Sequence, residues 1–150
     1  MDALFRAACA MSGSRQIAED LVQETYVKVL SRPRLLRRDD DLGYLIKAMR
    51  NTWYGHLRDE RKRRGTTASL DADELGARTA HGDPQASLEA SVVLDAVAEL
   101  PVHYREAVAA VDVAGLSYAE AARALGVRKG TVMSRLYRGR EQVAVALSAD

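Results

Sequence analysis

The residues with the clearest chemical potential lie near the end of the chain, on one predicted helix. Five of the seven Lys and Arg residues of segment 87–150 fall between Arg128 and Arg140. Guanidinium, ammonium and hydroxyl groups are the donors that proteins use for phosphate oxygens and for base edges in the major groove. The side chains expected on the exposed face of this helix are Lys129, Thr131, Ser134, Arg135, Arg138 and Arg140.

The segment that carries this helix has the pattern of a helix-turn-helix. Residues 115–141 read GLSYAEAARALGVRKGTVMSRLYRGRE. Ser117 and Glu120 form an S-x-x-E capping box at the start of a short helix, and Gly126 permits a tight turn before the basic helix. Two helices joined at a glycine occur in many folds. Capping box, turn glycine and basic second helix together favour DNA binding.

Arg128 stands at the N-cap of the second helix, where Ser or Asp would suit the helix dipole better. Positive charge at this end weakens an isolated helix slightly. We therefore interpret Arg128 as a residue that serves a phosphate partner.

A second basic face is predicted in the first half of the chain, on a helix from about Leu42 to Arg61. The expected inward positions are Leu42, Leu45, Ile46, Met49, Trp53 and Leu57. The expected exposed positions are Lys47, Arg50, Asn51, Tyr54 and Arg58. Residues 1–64 carry a net charge of +5, residues 65–86 carry −3, and residues 87–150 carry −1. Two basic patches separated by an acidic stretch indicate two contacts with a polyanion, although solvated helix faces are the commoner explanation for any one patch.

The helical patterns that carry these patches predict an all-α architecture of two small helical domains joined by a flexible linker. The second domain is expected to be a helix-turn-helix. We expect the first domain at residues 1–64, an acidic linker at 65–86 and the second domain at 87–150. In the first domain, a short helix from Leu4 to Met11 precedes one that Ser14 caps and that runs to about Ser31, before Pro33. Gly, Thr, Ser, Asp and Pro dominate the linker.

Several classes of function lack a signal in the sequence. The single Cys9 excludes an internal disulfide framework, fits a reducing cytosol and indicates a cytoplasmic protein. We found no metal-ligand spacing among the histidines, no phosphate-cradling glycine loop and no nucleophile motif. The run Asp39-Asp40-Asp41 could resemble a carboxylate metal site, but such a run in a charged loop more often lies in solvent. We expect no enzyme activity, no cofactor, no metal and no small-molecule substrate.

Four segments, in order and spacing, resemble the extracytoplasmic-function (ECF) sigma factors of bacterial RNA polymerase, in the sigma-70 superfamily. They are AEDLVQETYVKVL (18–30), YLIKAMRNTWYGHLRDERKRR (44–64), ELPVHYREAV (99–108) and the helix-turn-helix. The resemblance implies a protein that binds core RNA polymerase and directs initiation at specific promoters.

The resemblance also implies roles for residues of the first domain. The helix with Asp20, Gln23, Glu24 and Lys28 would dock on the clamp helices of the polymerase β′ subunit. Asn51 would receive a base flipped from the melted strand of the −10 element. The residues beside it, Arg50, Tyr54 and Arg58, would supply positive charge and an aromatic face for single-stranded DNA. The connection 34–41 would form the base pocket.

In the second domain, the resemblance implies contact with the −35 promoter element. The expected DNA-binding residues are Arg128, Lys129, Thr131, Ser134, Arg135, Tyr137 and Arg138. The linker would pass near the RNA exit path, and the implied partners are core RNA polymerase (β′ clamp helices and β flap), promoter DNA and an anti-sigma factor.

Two other functions remain open at this point. An ordinary helix-turn-helix transcriptional regulator would explain residues 115–141 but not the pattern at 18–64. A sigma-like mimic that sequesters an anti-sigma factor should have lost its DNA-facing residues, whereas this sequence retains Asn51, Arg135 and Arg138.

Overall fold

The computed structural model describes residues 2–32, 41–65 and 88–149, and these residues form seven α-helices. The helices are α1 (Ala3–Ser12), α2 (Arg15–Leu30), α3 (Asp41–Arg63), α4 (Leu88–Ala98), α5 (Val102–Val108), α6 (Tyr118–Leu125) and α7 (Lys129–Ser148). A π-helical turn, Ala109–Val113, continues α5. The all-α prediction is confirmed. Apart from Asp41 and Gly65, the expected base-pocket connection and the expected linker lie outside the described residues.

Short-range signals determine where several helices begin and end. The Ser14 hydroxyl accepts a hydrogen bond from the Ile17 amide at 3.4 Å and caps α2, as predicted. The chain leaves α1 through Gly13, whose φ of 75° is a left-handed conformation that glycine adopts without steric cost. These two adjacent residues turn the chain so that α2 can pack back on α1.

The first three helices share a hydrophobic core. The expected inward residues Ile46, Met49, Trp53 and Leu57 of α3 are buried, and they pack with α1 and α2. The expected positions Leu42 and Leu45 are half-buried. This packing leaves the opposite side of α3 free to carry polar side chains.

In the second domain, α7 packs along α5 and α6. Val132 and Leu136 of α7 are buried, as the helical periodicity predicts. Gly139 is also buried, and a Cβ built at this position would lie 2.7 Å from Val108 Cγ2. The glycine therefore permits a close approach of α7 to α5.

The two groups of helices pack against each other in this structure. Helix α1 contacts α4, α5 and the π-helical turn, and α3 contacts α6. One cluster of buried hydrophobic residues runs through both groups, from Leu4 in α1 to Leu136 in α7. The packing of α3 against α5 and α6 places polar residues of α3 directly opposite the second domain.

Candidate nucleic-acid interface

The basic face of α7 is accessible in the second domain. Arg128, Lys129, Ser134, Tyr137 and Arg138 are exposed, whereas Thr131 and Arg135 are half-buried. Two predicted local features hold this face in place. Ser117 and Glu120 form the reciprocal capping box, with hydrogen bonds of 3.0 and 3.1 Å. Gly126 has a φ of 67° and makes the turn into α7.

The start of α7 has no side-chain cap. Arg128 is the N-cap residue, and its side chain makes no capping hydrogen bond. The first amides of the helix therefore point outward beside Arg128 and Lys129, at the positive end of the helix dipole. This combination favours a phosphate group over any cation.

Arg140 makes a contact within the protein that the sequence did not predict. Its guanidinium donates two hydrogen bonds to the Asp112 carboxylate, at 2.9 and 2.7 Å. Asp112 lies in the π-helical turn that continues α5, so the ion pair joins α7 to this turn. Arg140 is exposed, as predicted, but its Nε and Nη2 atoms each donate a hydrogen bond to Asp112, which leaves fewer of its N–H groups available to DNA.

A cavity of about 480 Å³ lies beside Asn51, between α2 and α3. Its lining residues are Lys28, Val29, Ser31, Arg32, Tyr44, Lys47, Ala48, Asn51 and Thr52. Asn51 is exposed, as predicted. An amide, an aromatic ring and three cationic side chains can together hydrogen-bond, stack on and neutralise a nucleotide.

Of the nine lining residues, only Asn51 was a predicted DNA contact, and three of the others, Tyr44, Lys47 and Arg32, have side chains suited to binding a nucleotide. Lys47, four positions before Asn51 on α3, was expected on the same face but not as a DNA contact; Tyr44, seven positions before Asn51, could have been placed there by the same helical spacing. Arg32 comes from the end of α2, and only the packing of α2 on α3 brings it to the cavity.

Arg50 and Tyr54 differ from the prediction that both are exposed. Both are half-buried, because Glu106 of α5 lies against them. Arg50 Nε donates to Glu106 Oε1 at 2.9 Å, and the Tyr54 hydroxyl donates to the same oxygen. Arg50 Cζ also lies 4.8 Å from the centre of the Tyr54 ring. Arg58, the fourth predicted residue, is exposed.

The surroundings of Tyr54 keep its hydroxyl protonated. Burial raises the pKa of Tyr54, and the negative charge and hydrogen bond of Glu106 raise it further. The nearby Arg50 cation opposes this shift. The pKa stays well above its ordinary value, so the phenol acts as a hydrogen-bond donor at all physiological pH values.

The predicted polymerase-binding residues of α2 divide into two groups. Asp20 and Gln23 are exposed. Glu24 is half-buried, and its carboxylate oxygens lie 2.5 Å from His56 Nε2 and 3.4 Å from Lys28 Nζ. Lys28 also lines the cavity beside Asn51. The free polar part of this surface is therefore smaller than predicted.

Two apolar side chains extend the exposed face of α2. Val27 is 67% exposed and Leu30 is 78% exposed. Val27 lies seven positions, or two helical turns, after Asp20, so the two side chains share one face. Sequence reasoning selected only the polar members, although the same spacing would have included Val27.

Within residues 2–32, 41–65 and 88–149, no helix is long and apolar enough to cross a membrane, and no cluster of His, Cys, Asp or Glu could hold a metal ion.

Two family models match the chain, and they correspond to the two groups of helices. Residues 1–63 match sigma-70 region 2, and residues 91–143 match sigma-70 region 4. The ECF RNA polymerase sigma factor EcfG of Rhodopseudomonas palustris is 34% identical over 95% of this chain and 78% of its own length. The chain belongs to the ECF sigma factor family.

A second relative is longer than this chain. The ECF RNA polymerase sigma factor SigE of Mycolicibacterium smegmatis is 32% identical over 95% of this chain. The match spans only 56% of that relative's length. The family resemblance predicted from the four sequence segments is confirmed over both domains of this ECF sigma factor.

The fold also matches a solved structure, that of the sigma factor RpoE in complex with the anti-sigma factor NepR from Bartonella quintana. The TM-score is 0.78 at 26% identity, over 99% of this chain and 91% of the other. The similarity therefore extends over both groups of helices of this ECF sigma factor.

Proposed function

We propose that the chain binds core RNA polymerase and directs initiation at a specific class of promoters. The observation that carries the proposal is that both sigma regions occur on one chain and that each presents a basic, accessible surface. The proposed role of the chain is binding rather than catalysis, since the polymerase forms the phosphodiester bonds. In this proposal the chain needs no cofactor or small-molecule substrate, and its action on the polymerase implies a cytoplasmic location.

Recognition of the −35 element belongs to α7 in this proposal. Ser134, Tyr137 and Arg138 lie on its exposed face and can reach base edges and phosphates from the major groove. Arg128 and Lys129 stand at its N-terminus, where helix dipole and positive charge both favour a phosphate oxygen. Thr131 and Arg135 complete the set, and their partial burial keeps their side chains in defined positions.

Promoter melting belongs to α3 and to the cavity beside Asn51. The side-chain amide of Asn51 can form two hydrogen bonds with the edge of an extruded base, and Tyr44 can stack on its face. Stacking of a base on an aromatic ring contributes about 1–3 kcal/mol, which offsets the cost of unpairing a base pair. Arg50, Tyr54 and Arg58 extend this surface along the strand once Arg50 and Tyr54 are free of Glu106.

Polymerase docking belongs to the exposed face of α2. Asp20 and Gln23 supply polar contacts for the β′ clamp helices, while Glu24 and Lys28 hold the surface together through their contacts with His56 and Thr52. Val27 and Leu30 add apolar area that polymerase binding would bury. The second domain would contact the β flap. An anti-sigma factor is a further proposed partner, supported by the similarity to RpoE in its complex with NepR.

Run-off transcription tests the proposal directly. Core RNA polymerase is incubated with a library of promoter sequences, with and without the chain. Initiation that depends on the chain at a defined promoter class is the expected result. Duplex binding without initiation would favour an ordinary helix-turn-helix regulator. Binding to neither DNA nor polymerase, together with capture of an anti-sigma factor, would favour the mimic.

A further inference from the structure

A carboxylate of the second domain occupies the α3 surface that the proposed function assigns to single-stranded DNA. Glu106 is 2% exposed, and its Oε1 atom accepts hydrogen bonds from Arg50 and from Tyr54. We call these three residues the Arg50–Tyr54–Glu106 cluster. It joins α3 to α5, which belong to different sigma regions.

The cluster satisfies Arg50 and Tyr54 in the way that a nucleic acid would. A guanidinium donates to carboxylate and phosphate oxygens with the same geometry, and a phenol can donate to either. Glu106 Oε1 lies 2.9 Å from Arg50 Nε, a normal charge-assisted hydrogen bond. The Tyr54 hydroxyl is engaged by the same oxygen, and its ring is covered on one side by the Arg50 guanidinium. A DNA strand cannot accept from Arg50 Nε or from the Tyr54 hydroxyl while both donate to Glu106.

One oxygen of Glu106 in this cluster lacks a hydrogen-bond donor, which favours reversible separation of α5 from α3. Glu106 Oε2 is buried and has no hydrogen-bond partner among the described residues. A buried carboxylate oxygen without a donor carries an uncompensated loss of hydration. The closed arrangement therefore gains less from this ion pair than a fully bonded pair would supply. A partner that separates the domains would return Glu106 to water and recover its hydration.

We infer that Glu106 is an internal competitor for DNA, through which the second domain masks the single-strand surface of the first. The inference rests on the proposed function, since it needs Arg50 and Tyr54 to bind single-stranded DNA. The free chain holds itself closed and binds single strands weakly. If polymerase binding separates α5 from α3, Glu106 is removed and both residues become accessible at the place where melting occurs.

The test compares Glu106→Gln with the wild-type full chain. Gln keeps the shape of Glu but removes the charge that holds Arg50. The measurements are fluorescence anisotropy with a fluorescein-labelled single-stranded oligonucleotide, and the radius of gyration by small-angle X-ray scattering. We expect roughly tenfold tighter binding and a larger radius of gyration. The matched control is Glu99→Gln, at an exposed position between α4 and α5, which should change neither quantity.

Tyr54→Phe provides a second variant in case Glu106→Gln does not fold by circular dichroism. It removes the hydroxyl donor to Glu106 but keeps the aromatic ring for stacking, and it should also expand the chain and tighten binding. Unchanged affinity and radius in a folded variant would overturn the inference.

A second substitution separates this inference from the proposed function. Arg50→Ala is introduced into the Glu106→Gln chain and, separately, into the wild-type chain used to form holoenzyme. If Arg50→Ala abolishes the increase in oligonucleotide affinity caused by Glu106→Gln, the result supports both the masking role of Glu106 and the DNA-binding role of Arg50. If Glu106→Gln has no effect but Arg50→Ala still weakens promoter melting by holoenzyme, the masking role fails and the proposed function stands. If Arg50→Ala affects neither oligonucleotide binding nor melting, the DNA-binding role of Arg50 fails, and the masking role fails with it.

Discussion

The Arg105 guanidinium donates a hydrogen bond to the backbone carbonyl oxygen of Met11 at 3.0 Å, although 94 positions separate the two residues. Met11 lies in the last turn of α1, where backbone carbonyls have no partner within the helix. The same guanidinium donates to the Leu100 carbonyl at 3.2 and 2.9 Å. Arg105 is 1% exposed, so one buried cation joins α1 to the second domain.

Arg105→Met should destabilise the chain strongly. The substitution leaves buried carbonyl groups of Met11 and Leu100 without these donors, at an expected cost of about 3 kcal/mol in the free energy of unfolding. Urea denaturation followed by circular dichroism measures the loss. Arg58→Met, at an exposed position of α3, is the control and should unfold near the wild-type midpoint. Equal midpoints for both variants would contradict the structural role of Arg105.

Gly139→Ala should loosen the packing of α7 on α5. The added Cβ would lie 2.7 Å from Val108 Cγ2 and 3.3 Å from the Tyr104 carbonyl oxygen. Overpacking of this kind costs about 1–3 kcal/mol. Gly130→Ala, on the same helix, meets no atom within 4 Å and should leave the melting temperature unchanged or raise it. Thermal unfolding compares the two variants, and a Gly139→Ala melting temperature at or above that of Gly130→Ala would rule out the close contact.

Arg138→Ala should weaken binding to duplex promoter DNA and reduce its salt dependence. Removal of one phosphate contact lowers the slope of log K against log salt by about one. Arg140→Ala is the matched control, because the Arg140 guanidinium pairs with Asp112. This substitution should lower the stability of the protein more than it changes the slope of log K against log salt. Binding is measured over a series of salt concentrations. An unchanged affinity and slope for Arg138→Ala would remove this residue from the interface.

Asn51→Ala should impair promoter melting more than duplex binding. The substitution removes the amide beside the cavity but leaves the α7 surface intact. Permanganate reactivity of unpaired thymines reports melting by holoenzyme, and a filter assay reports total DNA binding. Gln16→Ala, an exposed amide at the start of α2, is the control. Equal losses of melting and binding by Asn51→Ala would speak against a role in base capture.

Val27→Asp should weaken binding to core RNA polymerase. A carboxylate at the centre of the exposed α2 face would have to be desolvated on docking, which reduces affinity by roughly tenfold or more. Val145→Asp is a close match, since Val145 is 64% exposed and Val27 is 67% exposed. Affinity for core polymerase is measured by competition with a labelled sigma factor. Equal affinities for the two variants would exclude Val27 from the docking surface.

Much of the fold could be predicted because its signals act over short distances. The caps at Ser14 and Ser117 and the turn at Gly126 each involve residues within three or four positions. The inward faces of α3 and α7 follow from helical spacing alone. The exposed parts of the candidate site, such as Asn51 and Arg138, were predictable for the same reason.

The sequence by itself determined the helices, their inward faces, the helix-turn-helix and the family to which the chain belongs. Only the tertiary structure decided which polar residues are paired with distant parts of the molecule. Arg105, Glu106 and Arg140 each have a partner at least five positions away, and helical periodicity carries no information about such distances. In a sequence pattern a charged residue resembles any solvated position. Burial and long-range pairing arise when helices pack, and this packing places Glu106 against Arg50 and Tyr54.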